Sequence, residues 1–540
     1  MSIEQQPSLP PVLRPANPPR RELSELASRF ARDVRGDVTG ITVSGITLAT
    51  ADLRAGEAFV AIHGVNRHGA EFAVTAAEKG AVAIITDEAG AVIAEPAGLP
   101  VLVVDDPRGT LGDLSAWVYG TGAGESLPLL FAPTGTNGKT SVSHLLEGIL
   151  DQLGVVTGLS STAERHIAGE VIVSRLTTPE ASEMHALLAL MRERQVEAVA
   201  VEVSAQALSR HRVDGILFDV AGFTNLSHDH LDDYADMAEY FEAKLALFRP
   251  DRARRSVICL DSPFGATVVE RAEIPVVTIG TPSIAADPET AARADWVVVI
   301  DDERAAGTTF TMTGPAGTLT TTVPVIGPHM AANAALAIVM LLEGGYAWER
   351  IAEALRRDGG IRAHLPGRTQ LISGESGPAV FVDFGHSPDA FEKTLAAVRR
   401  VTPGRVLMLF GADGDRDASK RYDMARTAVE GSDILVVTDH HPRFEDPDSI
   451  RATLVAGARR ARPDAEIHES SPPETAIVEA VGMVGEGDAI LWAGPGHQDY
   501  RDIRGMRTPY SARELARRAL KAAGWPVPDS RWPVPYPDED

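Results

Sequence analysis

A short run of glycine, lysine and hydroxyl residues has the composition of a phosphate-binding loop. The stretch GTNGKTS places Lys139 and Thr140 directly after a glycine, behind the apolar run LPLLFAPT and before a segment with helical periodicity. Glycines let backbone N–H groups close on phosphate oxygens, a lysine supplies positive charge, and a threonine hydroxyl can bind magnesium. Because strand, loop and helix follow in order, residues 135–141 are predicted to bind nucleotide phosphates.

Two further segments place polar side chains where apolar runs end. Glu202 follows the run AVAV, and Asn225, Asp229 and His230 follow FDVAGF. Carboxylate and imidazole groups at neighbouring strand ends, close to a phosphate loop, favour magnesium that bridges a nucleotide and an acceptor. A lone histidine is more often an ordinary surface side chain, so the prediction for His230 depends on its neighbours.

These residues lie in a long acidic chain with a single cysteine. The chain has 540 residues, a formal net charge of -24 and 44% hydrophobic residues, which is enough for several cores. The spread negative charge argues against nucleic-acid binding, and one cysteine excludes a disulfide framework. Because neither a signal peptide nor a membrane-spanning run is present in the sequence, we expect a cytoplasmic protein without membrane insertion.

The alternation of β-branched runs with helical segments predicts an α/β protein of three domains. An N-terminal domain is expected at residues 21–125, a central nucleotide-binding domain at 126–360 and a C-terminal domain with a mainly parallel sheet at 361–524. The proline-rich ends, residues 1–20 and 525–540, are predicted to be disordered tails.

Ordered sequence blocks in all three domains resemble the Mur ligases, and most closely the type that adds the third residue of the peptidoglycan stem peptide. The blocks are GTNGKTS, TTPE, EVSAQAL, FTNLSHDHLDDYADMAEYFEAKLALF, LPGR, DFGHSPDA, GADGDRDASKR, DHHPRFEDP and GPGHQDYRDIRGMRTPYSAR. The resemblance covers roughly residues 38 to 520. It implies a UDP-muramoyl-binding N-terminal domain, a central P-loop ATPase domain and a Rossmann-like C-terminal domain that closes over the site.

The resemblance also implies an activity and its ligands. The expected reaction is ATP-dependent formation of an amide bond between an L-amino acid and UDP-N-acetylmuramoyl-L-Ala-D-Glu, through an acyl phosphate. The amino acid is expected to be a diamino acid such as meso-diaminopimelate or L-lysine. Mg²⁺ would be the metal, and Lys244 would be carried as a carbamate, N6-carboxylysine. Without the resemblance, Lys244 would be interpreted as a solvated lysine on an amphipathic helix.

Site residues are carried over from the resemblance by their positions in the blocks. The residues expected in catalysis are Lys139, Glu202, His230, Lys244 and Asp383. Those expected at ATP are Gly135, Thr136, Asn137, Gly138, Lys139, Thr140, Ser141, Asn333 and Arg368. Metal ligation is expected from Thr140, Glu202, His230 and carbamylated Lys244. The UDP-muramoyl acceptor would meet Thr50, Thr177, Thr178, Ser204 and Arg212. The amino acid would meet Arg416, His440, His441, Arg443, Gly494 and Gln498.

Several positions depart from the family pattern. At the uridine site an Asp-Ser-Arg turn reads Ala-Thr-Ala around Thr50, and one of two paired asparagines near the nucleotide reads Met330. In the amino-acid region Asp-Asn-Pro-Arg reads His-His-Pro-Arg at 440–443, and Gly-Lys-Gly-His-Glu ends in Gln498. Because Gln498 lacks the charge that would pair with a distal ammonium, a departure from strict diaminopimelate specificity is expected. Arg443 would face a distal carboxylate or pair with Glu445 or Asp446.

Two other functions share part of this pattern. A related ligase, either a folylpolyglutamate synthase or the type that adds D-Ala-D-Ala, would keep the phosphate loop but differ in the C-terminal blocks. A nucleotide-binding paralogue that hydrolyses ATP without making a bond would keep the loop alone.

Overall fold

The structure is a computed structural model that describes residues 12–64, 66–174, 176–227 and 233–528. It contains three α/β units in chain order, each built on its own sheet, so the predicted α/β class is confirmed. Among the described residues, no helix is both long and apolar enough to cross a membrane.

The N-terminal unit is a five-stranded sheet with helices packed on it. Its elements are β1 (Arg21–Glu22), α1 (Leu23–Phe30), β2 (Asp33–Arg35), β3 (Thr42–Val43), β4 (Gly45–Thr47), β5 (Glu57–Val60), α2 (Ala73–Glu78), β6 (Ala83–Thr86), α3 (Glu88–Ala94), β7 (Val101–Val103) and α4 (Pro107–Tyr119). The strand order is β2-β7-β6-β5-β4, and only the β2–β7 pairing is antiparallel.

The central unit is an eleven-stranded sheet that carries the phosphate loop near its middle. Its elements are β8 (Leu129–Thr134), α5 (Lys139–Gln152), β9 (Thr157–Ser160), β10 (Glu164–Ile167), β11 (Glu170–Val173), α6 (Ala181–Glu193), β12 (Ala198–Val201), α7 (Ala205–Ser209), β13 (Phe218–Phe223), α8 (Met237–Leu245), β14 (Ala253–Cys259), α9 (Pro263–Arg271), β15 (Val276–Gly280), α10 (Pro288–Ala291), β16 (Trp296–Arg304), β17 (Gly307–Gly314), β18 (Gly317–Val323), α11 (Pro328–Glu343) and α12 (Trp348–Arg357).

Strand order in the central sheet brings the predicted chemistry to one edge. The order is β11-β10-β9-β12-β8-β13-β14-β15-β16-β17-β18, with parallel pairing from β9 to β16. Since β12 and β13 flank β8, the segments after these three strands meet at their carboxyl ends, where parallel sheets bind ligands. The antiparallel hairpins β9–β11 and β16–β18 extend the sheet on either side.

The C-terminal unit is a six-stranded, mainly parallel sheet followed by a short hairpin. Its elements are β19 (Gln370–Leu371), β20 (Ala379–Asp383), α13 (Pro388–Val401), β21 (Val406–Phe410), α14 (Arg421–Gly431), β22 (Ile434–Val437), α15 (Pro447–Ala461), β23 (Glu466–Glu469), α16 (Pro473–Gly482), β24 (Ala489–Ala493), β25 (Tyr500–Ile503), β26 (Met506–Pro509) and α17 (Ala512–Ala522). The order is β19-β20-β24-β21-β22-β23, and only β19 is antiparallel.

The central strands of each sheet are the apolar runs singled out in the sequence. The runs AVAV, VLMLF and AILWA form β12, β21 and β24, and every residue in them is buried. Strands covered by helices on both faces need continuous apolar runs rather than alternation, which explains why these segments are recognisable. Helix α11 is buried along most of its length and packs under the central sheet as a core helix.

Within the stretches predicted to be disordered tails, residues 12–15 and 525–528 pack against the folded units. Val12 and Arg14 are buried, and Arg14 Nε lies 2.8 Å from Glu57 Oε1 with both side chains almost fully covered. At the other end, Trp525 packs with the core of the C-terminal unit, and the Pro526 carbonyl accepts a hydrogen bond from the amide of Gly374. Proline content suppresses regular structure, but it does not prevent an extended segment from packing.

The Arg14–Glu57 pair gives a test of the N-terminal segment. Arg14→Met should lower the free energy of unfolding of the N-terminal unit by roughly 3 kcal/mol, because Glu57 would be left as an uncompensated buried charge. Hydrogen exchange of the β5 amides would measure it. Arg32→Met is the control, since Arg32 pairs with Glu88 and Asp105 at an exposed site and should cost less than about 1 kcal/mol. Equal effects of the two variants would contradict a structural role for the segment.

Candidate nucleotide and amino-acid site

The phosphate loop between β8 and α5 requires glycine at two positions. Gly135 and Gly138 have φ values of 148° and 92°. A Cβ atom at Gly135 would lie 1.9 Å from Thr224 Oγ1, and one at Gly138 would lie 2.8 Å from Asn333 Oδ1. Both the backbone conformation and the space available therefore exclude a side chain. The loop leads into the N-terminus of α5, which favours anions.

The segment that follows β13 holds this loop in place. Asn137 donates its amide to Asn225 Oδ1 at 3.0 Å, and Asn225 Nδ2 returns a hydrogen bond to the Asn137 carbonyl at 3.1 Å. The Thr136 amide donates to the Asn225 carbonyl at 2.9 Å. Asn225, which the sequence placed at a strand end, thus fixes the shape of the loop.

Two lysines from different helices converge on the loop. Lys139 Nζ donates to the carbonyls of Gly135 and Thr136, each at 2.9 Å. Lys244, on α8, donates to the same Gly135 carbonyl at 2.7 Å, and its ammonium lies 4.4 Å from the centre of the Tyr240 ring. Lys244 is buried, although other positions on α8 are exposed. Lys139 therefore brings positive charge to the place where phosphate would bind, and Lys244 reaches the same loop from another helix.

The Thr140 hydroxyl joins the central and C-terminal units. It donates to Glu202 Oε2 and accepts from Arg368 Nη2, both at 3.0 Å. Glu202 also accepts hydrogen bonds from the amide and the hydroxyl of Thr162, at 2.8 and 3.0 Å. Arg368 stacks its guanidinium on Phe384 at 4.5 Å, and burial lowers its pKa. This arrangement places a hydroxyl group, a carboxylate and the guanidinium group of another domain at the first turn of α5.

Oxygen donors of this kind fit magnesium. Thr140 and Glu202 offer a hydroxyl and a carboxylate, which are hard ligands that Mg²⁺ prefers. His230, also predicted as a ligand, and Asp229 lie outside the described residues. Lys244 reaches the same loop through the Gly135 carbonyl.

The Asp383 carboxylate accepts three hydrogen bonds from neighbouring loops. Its Oδ2 accepts from the amide and hydroxyl of Thr369, at 2.7 and 3.1 Å, and its Oδ1 accepts from the Gly385 amide at 2.7 Å. Because Thr369 follows Arg368, these bonds fix the turn that presents the arginine. The structure therefore shows Asp383 as a support for Arg368.

Most of the residues predicted to meet the acceptor adjoin Glu202. Thr178 donates its hydroxyl to the Glu202 carbonyl at 2.7 Å, and the Thr177 hydroxyl bonds Thr162 at 3.0 Å. Ser204 caps α7, and Arg212 pairs with Glu180. These four residues lie around the carboxyl end of β12. Of the residues predicted to meet the acceptor, Thr50 alone lies elsewhere, between β4 and β5 of the N-terminal unit, where its carbonyl accepts a hydrogen bond from Lys79.

The residues predicted to meet the amino acid gather at the carboxyl edge of the C-terminal sheet. His441 Nε2 and Gln498 Oε1 are 2.9 Å apart, and the Asp502 amide donates to His441 Nδ1 at 2.9 Å. The rings of His440 and His441 are 4.2 Å apart, and burial lowers the pKa of both. Gly494, with φ of 112°, faces His440.

The structure corrects one of the two roles expected of Arg443, the pairing with Glu445 or Asp446. Glu445 is held by Arg421 through two contacts of 2.7 Å, and Asp446 caps α15. Arg443 Nη2 instead lies 3.6 Å from Asp413 Oδ2. Arg416, by contrast, is exposed on the loop after β21.

Sequence reasoning missed Thr162 and Asp413. Thr162 lies in a β9–β10 turn, and its two hydrogen bonds to Glu202 depend on a strand order that no local pattern reveals. Asp413 could have been found, because it stands in the block GADGDRD directly after the apolar run of β21.

Comparisons with known proteins agree with this geometry. Residues 42–119 match the description "Mur ligase family, catalytic domain", residues 134–341 match "Mur ligase middle domain", and residues 367–496 match "Mur ligase, glutamate ligase domain". A "UDP-N-acetylmuramyl-tripeptide synthetase" of Leifsonia xyli subsp. xyli is 55% identical over 96% of this chain and 99% of its own. A "UDP-N-acetylmuramoyl-L-alanyl-D-glutamate--2,6-diaminopimelate ligase" of Streptomyces avermitilis is 39% identical over 94% of this chain and 98% of its own.

The fold is also that of solved ligases. The structure of a "UDP-N-acetylmuramoyl-L-alanyl-D-glutamate--2,6-diaminopimelate ligase" covers 94% of this chain and 100% of its own at 24% identity, with a TM-score of 0.64. MurF from Acinetobacter baumannii covers 89% of this chain and 96% of its own at 17% identity, with a TM-score of 0.62. The predicted three-domain architecture is thereby confirmed, and the chain belongs to the Mur ligase family.

Proposed function

We propose that this protein is an ATP-dependent ligase that joins the third stem-peptide residue, an L-amino acid, to UDP-N-acetylmuramoyl-L-Ala-D-Glu. The observation that carries the proposal is the Thr140 junction, where the phosphate loop, the Glu202 carboxylate and Arg368 of the C-terminal unit meet. A nucleotide switch needs the loop, but a ligase must also bring acceptor and amino acid to the γ-phosphate. The names of the two relatives at 55% and 39% identity support the same reaction.

Phosphoryl transfer is the first step of the proposed mechanism. The γ-carboxylate of the D-glutamyl residue attacks the γ-phosphorus of ATP, the bond to the β–γ bridging oxygen breaks, and ADP leaves. Lys139 and Arg368 carry positive charge to the phosphate side, where negative charge spreads over the transferring oxygens. The glycine loop holds its amides fixed beforehand, so little reorganisation is needed. The product is an acyl phosphate.

Amide formation follows by attack of the amino group on the acyl carbon. The new C–N bond forms as the bond between the acyl carbon and the phosphate oxygen breaks. Inorganic phosphate leaves with that oxygen, and the proton that the nitrogen loses ends on the released phosphate. We assign Asp383 a positioning role, because its carboxylate already accepts three hydrogen bonds that fix the turn bearing Arg368. Thr177, Thr178, Ser204 and Arg212 would orient the acceptor beside Glu202, and Thr50 would contribute from the N-terminal unit.

Magnesium would be held by Thr140 and Glu202, with His230 and carbamylated Lys244 as further ligands. When bound, it would neutralise phosphate charge during transfer. A carbamate would convert the buried Lys244 cation into an anion beside the loop. Asn333, which packs against Gly138, would border the nucleotide, and Ser141 continues the first buried turn of α5.

A first prediction tests the ligase against the nucleotide switch. Phosphate release should require ATP, magnesium, the UDP-muramoyl dipeptide and an amino acid together, because the acyl phosphate forms only on bound acceptor. Lys139→Ala should lower the rate by roughly 10³-fold, since it removes charge stabilisation from the transfer. Lys521→Ala, at an exposed position on α17, is the control and should be near normal. Strong ATP hydrolysis without acceptor would favour the switch.

A second prediction separates a carbamate from a simple cation at position 244. Lys244→Ala and Lys244→Arg should both lose at least about 10²-fold in kcat, because neither side chain can take up CO₂. Added acetate should partly restore Lys244→Ala by supplying a carboxylate. Steady-state phosphate release measures both effects, and ¹³CO₂ labelling followed by NMR would detect the carbamate directly. If Lys244→Arg kept near-normal activity, the cation rather than the carbamate would be the functional group.

A further inference from the structure

A carboxylate that was not among the residues expected to meet the amino acid lies beside His440 and Arg443 in the candidate amino-acid region. Asp413 follows β21, and its Oδ1 is buried without a hydrogen-bond partner within the described ranges. His440 Nε2 lies 3.6 Å from this oxygen, and Arg443 Nη2 lies 3.6 Å from Oδ2. Both distances exceed those of good hydrogen bonds. A buried carboxylate oxygen that accepts no bond is costly, so this atom suits a donor brought by a ligand.

The charges around Asp413 leave it as an anion between neutral rings and one guanidinium. Burial opposes its ionisation, but positive charge nearby, including that of Arg443, holds the pKa of Asp413 below the ordinary value. Burial lowers the pKa of His440 to about 3, so this ring is neutral near pH 7. Arg443 is thus balanced by Asp413, which reduces its repulsion of a second cation.

A metal ion fits this cluster less well than an amine does. One ligand atom from each of Asp413, His440 and His441 lies within 4.8 Å of the others, as in a metal site. However, His441 Nδ1 accepts from the Asp502 amide, which places the ring proton on Nε2, facing Gln498. Both His441 nitrogens are therefore engaged, and only Asp413 and His440 remain as ligands.

We propose that Asp413 is a specificity-determining residue that receives the side-chain ammonium of the incoming amino acid. This role rests on the proposed function and deepens it, because it names the residue that would distinguish the second amine of a diamino acid from a neutral side chain. An ammonium has three donors and can bond both Asp413 Oδ1 and the neutral His440 Nε2. Asp413 would supply the negative charge that Gln498 lacks.

Matched substrate pairs test the assignment. The probes are L-lysine against L-norleucine and L-ornithine against L-norvaline, each pair differing by the terminal amine, with kcat/KM from phosphate release. Wild type should prefer the amine in both pairs. Asp413→Asn should lower kcat/KM for L-lysine and L-ornithine by about 30-fold or more, while the neutral amino acids change by less than about threefold. Equal losses on amines and neutral analogues, or no loss, would overturn the assignment.

Two further variants keep the result interpretable. Asp502→Asn removes a nearby negative charge but keeps an oxygen to accept from the Gly505 amide, and it should leave the amine preference unchanged. A loss of preference in Asp502→Asn equal to that in Asp413→Asn would overturn the assignment by pointing to long-range charge.

Asp413→Glu extends the carboxylate by one carbon and should raise the ratio of L-ornithine to L-lysine use. An unchanged ratio would also overturn the assignment. If wild type releases no phosphate with any L-amino acid, the proposed function itself fails; if it prefers the neutral members, only the inference fails.

Discussion

The site depends on one hydroxyl group shared between two domains. Thr140 donates to Glu202 and accepts from Arg368, so the first turn of α5 is tied to the end of β12 and to the loop before β19. Arg368 is partly buried, and its charge is tolerated because it stacks on Phe384 and faces Glu202 nearby. The other features of the nucleotide site, including the Asp383 bonds that hold the Arg368 turn, serve this contact.

The distribution of charge in the amino-acid region differs from that at the phosphate loop. At the loop, Lys139 and Lys244 both approach the Gly135 carbonyl, and Lys139 brings positive charge beside the backbone amides. At the carboxyl edge of the C-terminal sheet, buried histidines are neutral and one aspartate balances one arginine. The first arrangement is suited to a polyanion, and the second can distinguish side chains by a single charge.

The sequence predicted the elements better than the contacts between them. Continuous apolar runs identified β12, β21 and β24, because strands buried on both faces need an unbroken series of apolar residues in the sequence. The phosphate loop was predicted because its glycines meet a local requirement, namely a positive φ and a space too small for a side chain. Thr162 and the Asp413–Arg443 pair were not found, because they depend on strand order and on loops that meet only in three dimensions. The packed ends near Arg14 and Trp525 were missed for the same reason.

The strand order of the central sheet has a consequence for how the protein is made. β8 is flanked by β12 and β13, so the strand before the phosphate loop finds its neighbours only after the chain has been synthesised past residue 223. The Arg368–Thr140 contact joins residues that are 228 positions apart in the chain. Domains fold largely in the order in which they emerge from the ribosome. The central domain of a nascent chain can therefore form the phosphate loop before Arg368 has been synthesised. Assembly of the reactive centre is therefore among the last events of folding, and an incomplete chain would carry the loop without the group that completes it.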